Sequence, residues 1–449
     1  METIHIYHTN DLHSHLENWP RIQQFLKQSK IRHQQNGDEV LIFDIGDFID
    51  RWHPYTEATM GKASIHLLND SQYDAVTIGN NEGVNLPHDD LHHLYDEAEF
   101  EVLTANFYLE NGEYPSWIKP YTVIQTKQGT RIGVLGLTAP FPQLYQLLGW
   151  KVTDPLLELK KLLNTLKKQA DMIVLLSHLG IREDERIAEL YPEVDVLLGA
   201  HTHHVFENGK IVNHTFMGAA GKYGYYVGEI TLKLDEERKI IKREAIAHDI
   251  QELPSVQDEI EQAESYFERG KMLLSQNITF LQQPLKADPF KETELSKLLC
   301  QALKEWCKTD CAMINAGLLL GPLAGAVTDF DLLTICPHPI NPCVIELTGQ
   351  ELLAILHETK QESLQQMQIK GLGFRGHVIG KFIYAGLQFN NEIVGIDGKE
   401  LELSAIYTLA LPDMFTFGHF FKDVLAAKQK HYFLPEFLRD ILKWKLQQL

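Results

Sequence analysis

TIHIYHTNDLH, residues 3–13, decides the fold. Its first half alternates apolar and polar residues as a strand does, and its second half abandons that rhythm for Asn10, Asp11 and His13. The same shape recurs along the chain: VLIFDIG is followed by Asp47, AVTIG by Asn80, MIVLLS by His178, and VDVLLGA by His201 and His203. Short Val/Ile/Leu runs of this kind indicate strands covered on both faces. Amphipathic stretches between them, such as PLLELKKLLNTLKKQ, read as helices, so residues 1–235 predict a layered α/β domain. In open α/β sheets ligands sit beyond the carboxyl ends of strands, where these donors can converge.

A chain of 449 residues exceeds what one core organises, which predicts two domains. The first is placed at 1–250. A helical connector follows at 251–275, where PSVQDEIEQAESYFERGKMLL has apolar positions at Val256, Ile260, Ala263 and Phe267. The second, at 276–449, mixes helices such as ELSKLLCQALKEW and GQELLAILHETKQ with strand-like NITFLQQPL, CVIEL, KFIYAGLQF and IYTLALP, an α+β pattern. A formal net charge of -20 argues against a nucleic-acid polymer as partner, because such binders neutralise phosphates with Lys and Arg. A small phosphorylated molecule remains compatible, since bound cations invert the field locally. No apolar run is long enough to cross a bilayer, METIHIYHTND has no leader pattern, and five cysteines without a CxxC pair suit a reducing compartment, so the expected location is cytoplasmic. Cys300, Cys307 and Cys311 fall at helical spacing and are expected in a core.

Among 21 histidines most need no special role; His33, His66, His92 and His93 read as solvated helix or loop residues. The pairs Asp11-x-His13 and His201-x-His203 differ, because two-residue spacing aims both side chains to one side of an extended segment. The stretch TIGNNEG, residues 77–83, is open to two readings: a turn in which Asn caps a helix, or a presented ligand. Imidazole, carboxylate and amide oxygen together suit Mn, Zn, Fe or Co rather than a closed structural zinc cage. Seven such donors exceed the needs of one ion and are enough for two, which a carboxylate such as Asp47 can bridge. A pair of ions roughly 3.5–4 Å apart stabilises the attacking and leaving oxygens of an in-line displacement at phosphorus.

TNDLHSH, DIGD, GNNE, LLSHLG and GAHTHH, in this order and spacing, resemble the blocks of the calcineurin-like metallophosphoesterases of the 5′-nucleotidase and 2′,3′-cyclic phosphodiesterase family. MINAGLLLGPLAGAVTDFDLLTICPHP and VIELTGQEL resemble the family's second domain. The resemblance implies a four-layer αββα catalytic domain followed by a 5′-nucleotidase C-terminal-type α+β domain. It also implies two divalent metal ions, the first held by Asp11, His13, Asp47 and His203 and the second by Asp47, Asn80, His178 and His201. The implied activity is hydrolysis of a phosphoester, of a nucleotide or a related small molecule. A phosphodiesterase or pyrophosphohydrolase, or a non-catalytic binder of a phosphoryl ligand, are the alternatives.

One departure matters for that activity. The family writes Gly-Asn-His-Glu with an Asp shortly after, and its His assists the transfer; here the catalytic position is Asn81, and GVNLP contains no acid. Asn donates a neutral hydrogen bond but has no proton to give near neutral pH. His204, His53 and Arg182 are the candidates to substitute for it. In the second domain Asn315 and Gly317 match the family's nucleotide-binding segment, while Leu320 stands where an Arg is expected and His338 replaces a Phe. The second aromatic position falls on Met414 or, with a one-residue shift, on Phe415, and Arg375 in GLGFRGH is a candidate for a substrate anion. The loss of an Arg removes a bidentate charged contact that Leu does not replace.

Overall fold

The strand expected from TIHIYHT forms over Glu2–Thr9, paired in parallel with Glu39–Asp44 so that Thr9 lies opposite Asp44. This is seen in a computed structural model that describes residues 1–390, 393–396, 398–417 and 420–449. The chain divides into two compact units, Met1–Gly270 and Lys271–Leu449.

Two sheets face each other in the first unit. One runs, in spatial order, Ile240–Asp249, Tyr226–Leu234, Glu2–Thr9, Glu39–Asp44, Ala75–Val76, Glu101–Leu103 and Ile118–Lys119. The other runs Lys210–Val212, Thr215–Gly218, Val196–Gly199, Met172–His178, Arg131–Thr138 and Tyr121–Gln125. Parallel pairing from Glu2–Thr9 through Ala75–Val76, and again from Arg131–Thr138 through Val196–Gly199, sets the carboxyl ends of these strands on one edge of each sheet.

Alternation decides what each face meets. Ile4, Ile6, Leu41 and Phe43 of the first sheet pack against Val174, Leu176, Val196 and Leu198 of the second, forming the interior between the sheets. On the outer face of the second sheet, Leu159, Leu163 and Leu166 of helix Pro155–Gln169 cover Leu135, Ile173 and Leu175. Helix Trp19–Gln35 covers the first sheet's outer face, with Phe25 edge-on to Tyr7 at 5.8 Å. The layers are therefore helix, sheet, sheet, helix. Of the run DAVTIG only Ala75–Val76 makes a ladder; Thr77 still donates to Asp44 O at 2.9 Å, after which the chain turns into the short helix Asn80–Asn85.

The polar stretch read as a connector forms helix Glu259–Leu273. Most of it belongs to the first unit: Arg21 Nε donates to Glu259 Oε2 at 3.0 Å, and Tyr266 stacks on Tyr55 with centroids 6.0 Å apart. In the second unit the main sheet runs Phe382–Ala385, Cys311–Asn315, Ile406–Pro412, Pro342–Thr348 and His431–Tyr432. Helices Glu294–Cys307, Gly349–Glu358 and Leu438–Leu446 accompany it, the first two opened by Thr293 and Thr348 capping boxes. KFIYAGLQF splits into Phe382–Ala385 and Leu387–Asn390, which join different sheets. All five cysteines are free and buried in this unit. Among the described residues no helix is long and apolar enough to cross a membrane.

Leu176 is fully buried between the two sheets of the first unit. Leu176→Ala is expected to cost about 2–5 kcal/mol through lost burial and a residual cavity. Urea unfolding followed by circular dichroism checks this, and a loss under about 1 kcal/mol would show that the two sheets do not share a tight interior.

Candidate metal centre

His178 closes strand Met172–His178 and Asn80 opens helix Asn80–Asn85, while the other five proposed ligands sit just past a strand end and not on extended backbone. Asp11 (φ 50°), His13 (φ 48°), Asp47 (φ 53°), His201 (φ 70°) and His203 (φ 57°) all adopt the left-handed conformation. The two-residue spacing read from the sequence thus works through a tight turn, not through the alternation of a strand. Asp and His are among the few residues enriched in this region, where each non-glycine residue costs roughly 1 kcal/mol or more.

Neighbouring loops hold the turn. Asp11 N donates to Gly46 O at 3.0 Å, His13 N to Asp47 O at 2.9 Å and Ser14 N to Phe48 O at 2.9 Å. Gly46 (φ +84°) and Gly79 lie back to back; a Cβ on Gly46 would come within 2.4 Å of Gly79 N. Glu82, the carboxylate of TIGNNEG, ties these loops together: Oε2 accepts from Asp47 N at 3.0 Å and Gly79 N at 2.8 Å, and Oε1 accepts from Ile49 N at 3.1 Å. Burial, together with the nearby Asp47 charge, pushes its pKa up to about 7.

The side chains gather in two groups. Asp11, His13 and His203 form one, Asp47, His178 and His201 the other, with the donor atoms in each group within 4.8 Å of one another. Asp47 Oδ2 reaches both, 3.4 Å from His178 Nε2 and 3.8 Å from His13 Nε2. His203 Nε2 lies 3.4 Å from Asp11 Oδ1 and 3.1 Å from His13 Nε2. His178 Nδ1 donates to Ile45 O at 2.7 Å, which leaves Nε2 as a lone pair on the neutral ring. Burial alone would lower the His178 pKa, yet Asp47 and Asp11 raise it to about 10; burial alone would raise that of Asp47, yet His178 and His13 hold it below the ordinary range.

The residues fit a pair of divalent cations. His178 Nε2 and Asn80 Oδ1 are buried without hydrogen-bond partners, as donors awaiting a cation would be. Ring orientation gives a second criterion: His13 and His203 meet at 85° and His178 and His201 at 64°, so lone pairs can aim at a shared point. A further group, His5, His33 and Asp38, fails it. Those two imidazoles stack with centroids 3.6 Å apart at 25°, and near-parallel rings cannot both place an ion in their planes.

Asn81 is turned inward. Its Nδ2 lies 2.9 Å from His13 Nδ1 and donates to Ile49 O at 3.3 Å, and its backbone N donates to Asp47 Oδ1 at 2.7 Å. None of the candidates to replace its chemistry is brought to the ligands by a hydrogen bond. His53 caps helix Pro54–Thr59, accepting from Tyr55 N; His204 contacts Thr202 Oγ1 and packs on Phe206; Arg182 is exposed in the first turn of helix Ile181–Leu190. Asn10, noted in the sequence after the first strand but given no role there, donates through Nδ2 to Asp11 Oδ2 at 2.8 Å. Sequence reading missed Asp50, whose Oδ2 lies 3.6 Å from His13 Nδ1. The one signal for Asp50 was its place three residues after Asp47.

The substrate-binding candidates of the second unit are set in its interior. Asn315, His338 and Phe415 are fully buried. Asn315 Nδ2 donates to Ile379 O at 2.9 Å, and His338 is bonded at both nitrogens, to Leu318 O and from Arg375 N, with its ring stacked on Phe374. Arg375 is half-buried. No ring of this set presents a face to solvent.

Two family models match: calcineurin-like phosphoesterase over residues 4–205, and 5'-nucleotidase, C-terminal domain, over residues 275–421. The chain is 45% identical, over the whole length of both, to an uncharacterized metallophosphoesterase, YunD, of Bacillus subtilis (strain 168). It is 25% identical to a snake venom 5'-nucleotidase of Naja atra, over 82% of this chain and 80% of that one. A putative 5'-nucleotidase from Staphylococcus aureus, solved in complex with alpha-ketoglutarate, shares the fold with a TM-score of 0.71 at 17% identity, over 100% of this chain and 97% of that one.

Gly79→Ala tests the packing under the ligands, because a Cβ there would come within 2.1 Å of Asp47 Oδ1. The expected outcome is a folded protein that takes up less metal than wild type, read by elemental analysis after gel filtration. Unchanged metal content would show that Asp47 is free to shift without consequence.

Proposed function

Because the chain belongs to the calcineurin-like metallophosphoesterases that carry a 5′-nucleotidase C-terminal domain, we propose that it is a dimetal phosphoester hydrolase acting on a small phosphorylated molecule of the nucleotide type. The observation that carries this is the division of six side chains into two groups, with Asp47 within reach of both. Asp11, His13, Asp47 and His203 would hold one divalent cation, and Asp47, Asn80, His178 and His201 the other. When bound, such a pair supplies Lewis acidity at the phosphoryl oxygens and lowers the pKa of water to the point where it serves as nucleophile.

The chain's own groups do the rest. His178, fixed by Ile45 O, and the Asp47 carboxylate, fixed by the N–H of Asn81, keep their donor atoms oriented before any ion arrives. The main chain of two loops, after Glu39–Asp44 and after Ala75–Val76, is drawn together by Glu82 and keeps these groups from relaxing away. Proton delivery to the leaving oxygen is the missing function: Asn81 has no acidic proton, and a positioned general acid typically contributes about 10²–10⁴-fold. Substrates whose leaving group departs without protonation are therefore favoured, which points to activated diesters and anhydrides over nucleoside monoesters.

Two measurements test this. Chelator treatment is expected to abolish hydrolysis of an aryl phosphodiester, and manganese or cobalt to restore it, with Asp47→Asn inactive throughout. With metal-loaded wild type, the aryl phosphodiester is expected to be cleaved at least about 10²-fold faster than AMP, the scale of one lost general acid. Faster cleavage of AMP would refute the leaving-group bias, and silence toward every ester and anhydride by the loaded protein would favour a non-catalytic phosphoryl binder.

A further inference from the structure

We propose that Asn81 is a positioning residue, which holds the candidate ligands His13 and Asp47 and does not touch the phosphoryl group; this rests on the dimetal reading above. The amide is fully engaged where it stands. Nδ2 has two hydrogens, one directed to Ile49 O at 3.3 Å and one toward His13 Nδ1 at 2.9 Å, while Oδ1 accepts from Asn80 Nδ2 at 3.3 Å. The backbone N–H is taken by Asp47 Oδ1 at 2.7 Å. In this orientation the amide leaves no free polar hydrogen for a substrate, and the residue is only 9% exposed. Through these bonds Asn81 touches three of the proposed ligand residues, His13, Asp47 and Asn80.

The contact on His13 has a specific consequence for metal binding. With Nδ1 accepting from Asn81, a neutral His13 ring carries its proton on Nε2, the atom 3.1 Å from His203 Nε2. An Nε2 that serves as ligand needs the opposite tautomer, with the proton on Nδ1. That N–H must then find an acceptor, and two stand beside it: Asp50 Oδ2 at 3.6 Å, and the Asn81 amide, which presents Oδ1 when it turns by 180° and gives up its contacts with Ile49 O and Asn80 Nδ2 for this one. Ligating histidines are fixed by such partners, whose loss typically costs about 10–100-fold in metal affinity or activity. In that turned orientation Asn81 Oδ1 would accept from His13 Nδ1 as Ile45 O accepts from His178 Nδ1.

The test loads wild type, Asn81→Ala and Asn81→Asp with manganese or cobalt and follows metal release to a chelator by elemental analysis, beside aryl phosphodiester turnover at rising metal. Asn81→Ala is expected to release metal about 10–100-fold faster than wild type and to regain turnover as metal is raised. Asn81→Asp keeps an acceptor for the His13 N–H and should retain metal closer to wild type than to the Ala variant. Should the Ala variant hold metal as wild type does while its turnover stays low at saturating metal, Asn81 contacts substrate and the proposal falls. Release from the Asp variant as fast as from the Ala variant would also overturn it. Wild type taking up no metal is a separate outcome, and it removes the dimetal reading itself.

Discussion

One buried carboxylate holds the strand ends together. Glu82 sits at the third position of helix Asn80–Asn85 and accepts hydrogen bonds from the backbone N–H groups of Asp47, Ile49 and Gly79. Without an acceptor those three donors would be buried and unpaired, at a cost of about 1–3 kcal/mol each. Because Gly46 and Gly79 pack back to back at the same place, the loop after Glu39–Asp44 and the loop after Ala75–Val76 are held against one another. Through Gly46 O and Asp47 O the first of these loops also fixes Asp11 and His13.

That bracing explains how five ligand candidates persist in left-handed backbone. Each such residue lowers stability, and such conformations survive only where the surroundings over-determine them. Here the determinants are visible: the turn of Asp11 and His13 is closed by backbone bonds to Gly46, Asp47 and Phe48, the His201 N–H is held by the Asp11 carboxylate, and the strands behind are packed on both faces. The gain is that consecutive turns throw alternate side chains toward one point, which an extended chain past the sheet edge would not do.

Much of this was legible in the sequence. The apolar runs gave the strands, since a doubly covered strand must be continuously apolar, and what followed them gave the ligand candidates. Less was legible where tertiary context overrides local signal. The spacing of Asp11 and His13 was explained by strand alternation, whereas the structure uses positive φ, which no pattern of side chains announces. Asn81 could be placed at the site by its neighbours in TIGNNEG, but its orientation depends on His13 and Ile49, distant in sequence. The helix Glu259–Leu273 looked like a connector because it is polar, and its attachment to Arg21 and Tyr55 is made of an ion pair and ring contacts that hydrophobic periodicity does not register. In the second unit, His338 and Phe415 were matched by resemblance to aromatic positions of the family; the sequence could not reveal that both are enclosed.

The cysteines carry a last consequence. All of them lie between residues 300 and 343, so the second unit alone contains thiols, and each is buried. Burial pushes the Cys307, Cys311 and Cys336 thiols up to about 12, which keeps them protonated and poorly nucleophilic while the unit stays closed. Alkylating reagents would therefore be slow against the native molecule and fast once that unit opens. The rate at which thiols become reactive thus times the opening of the second unit and is blind to the first.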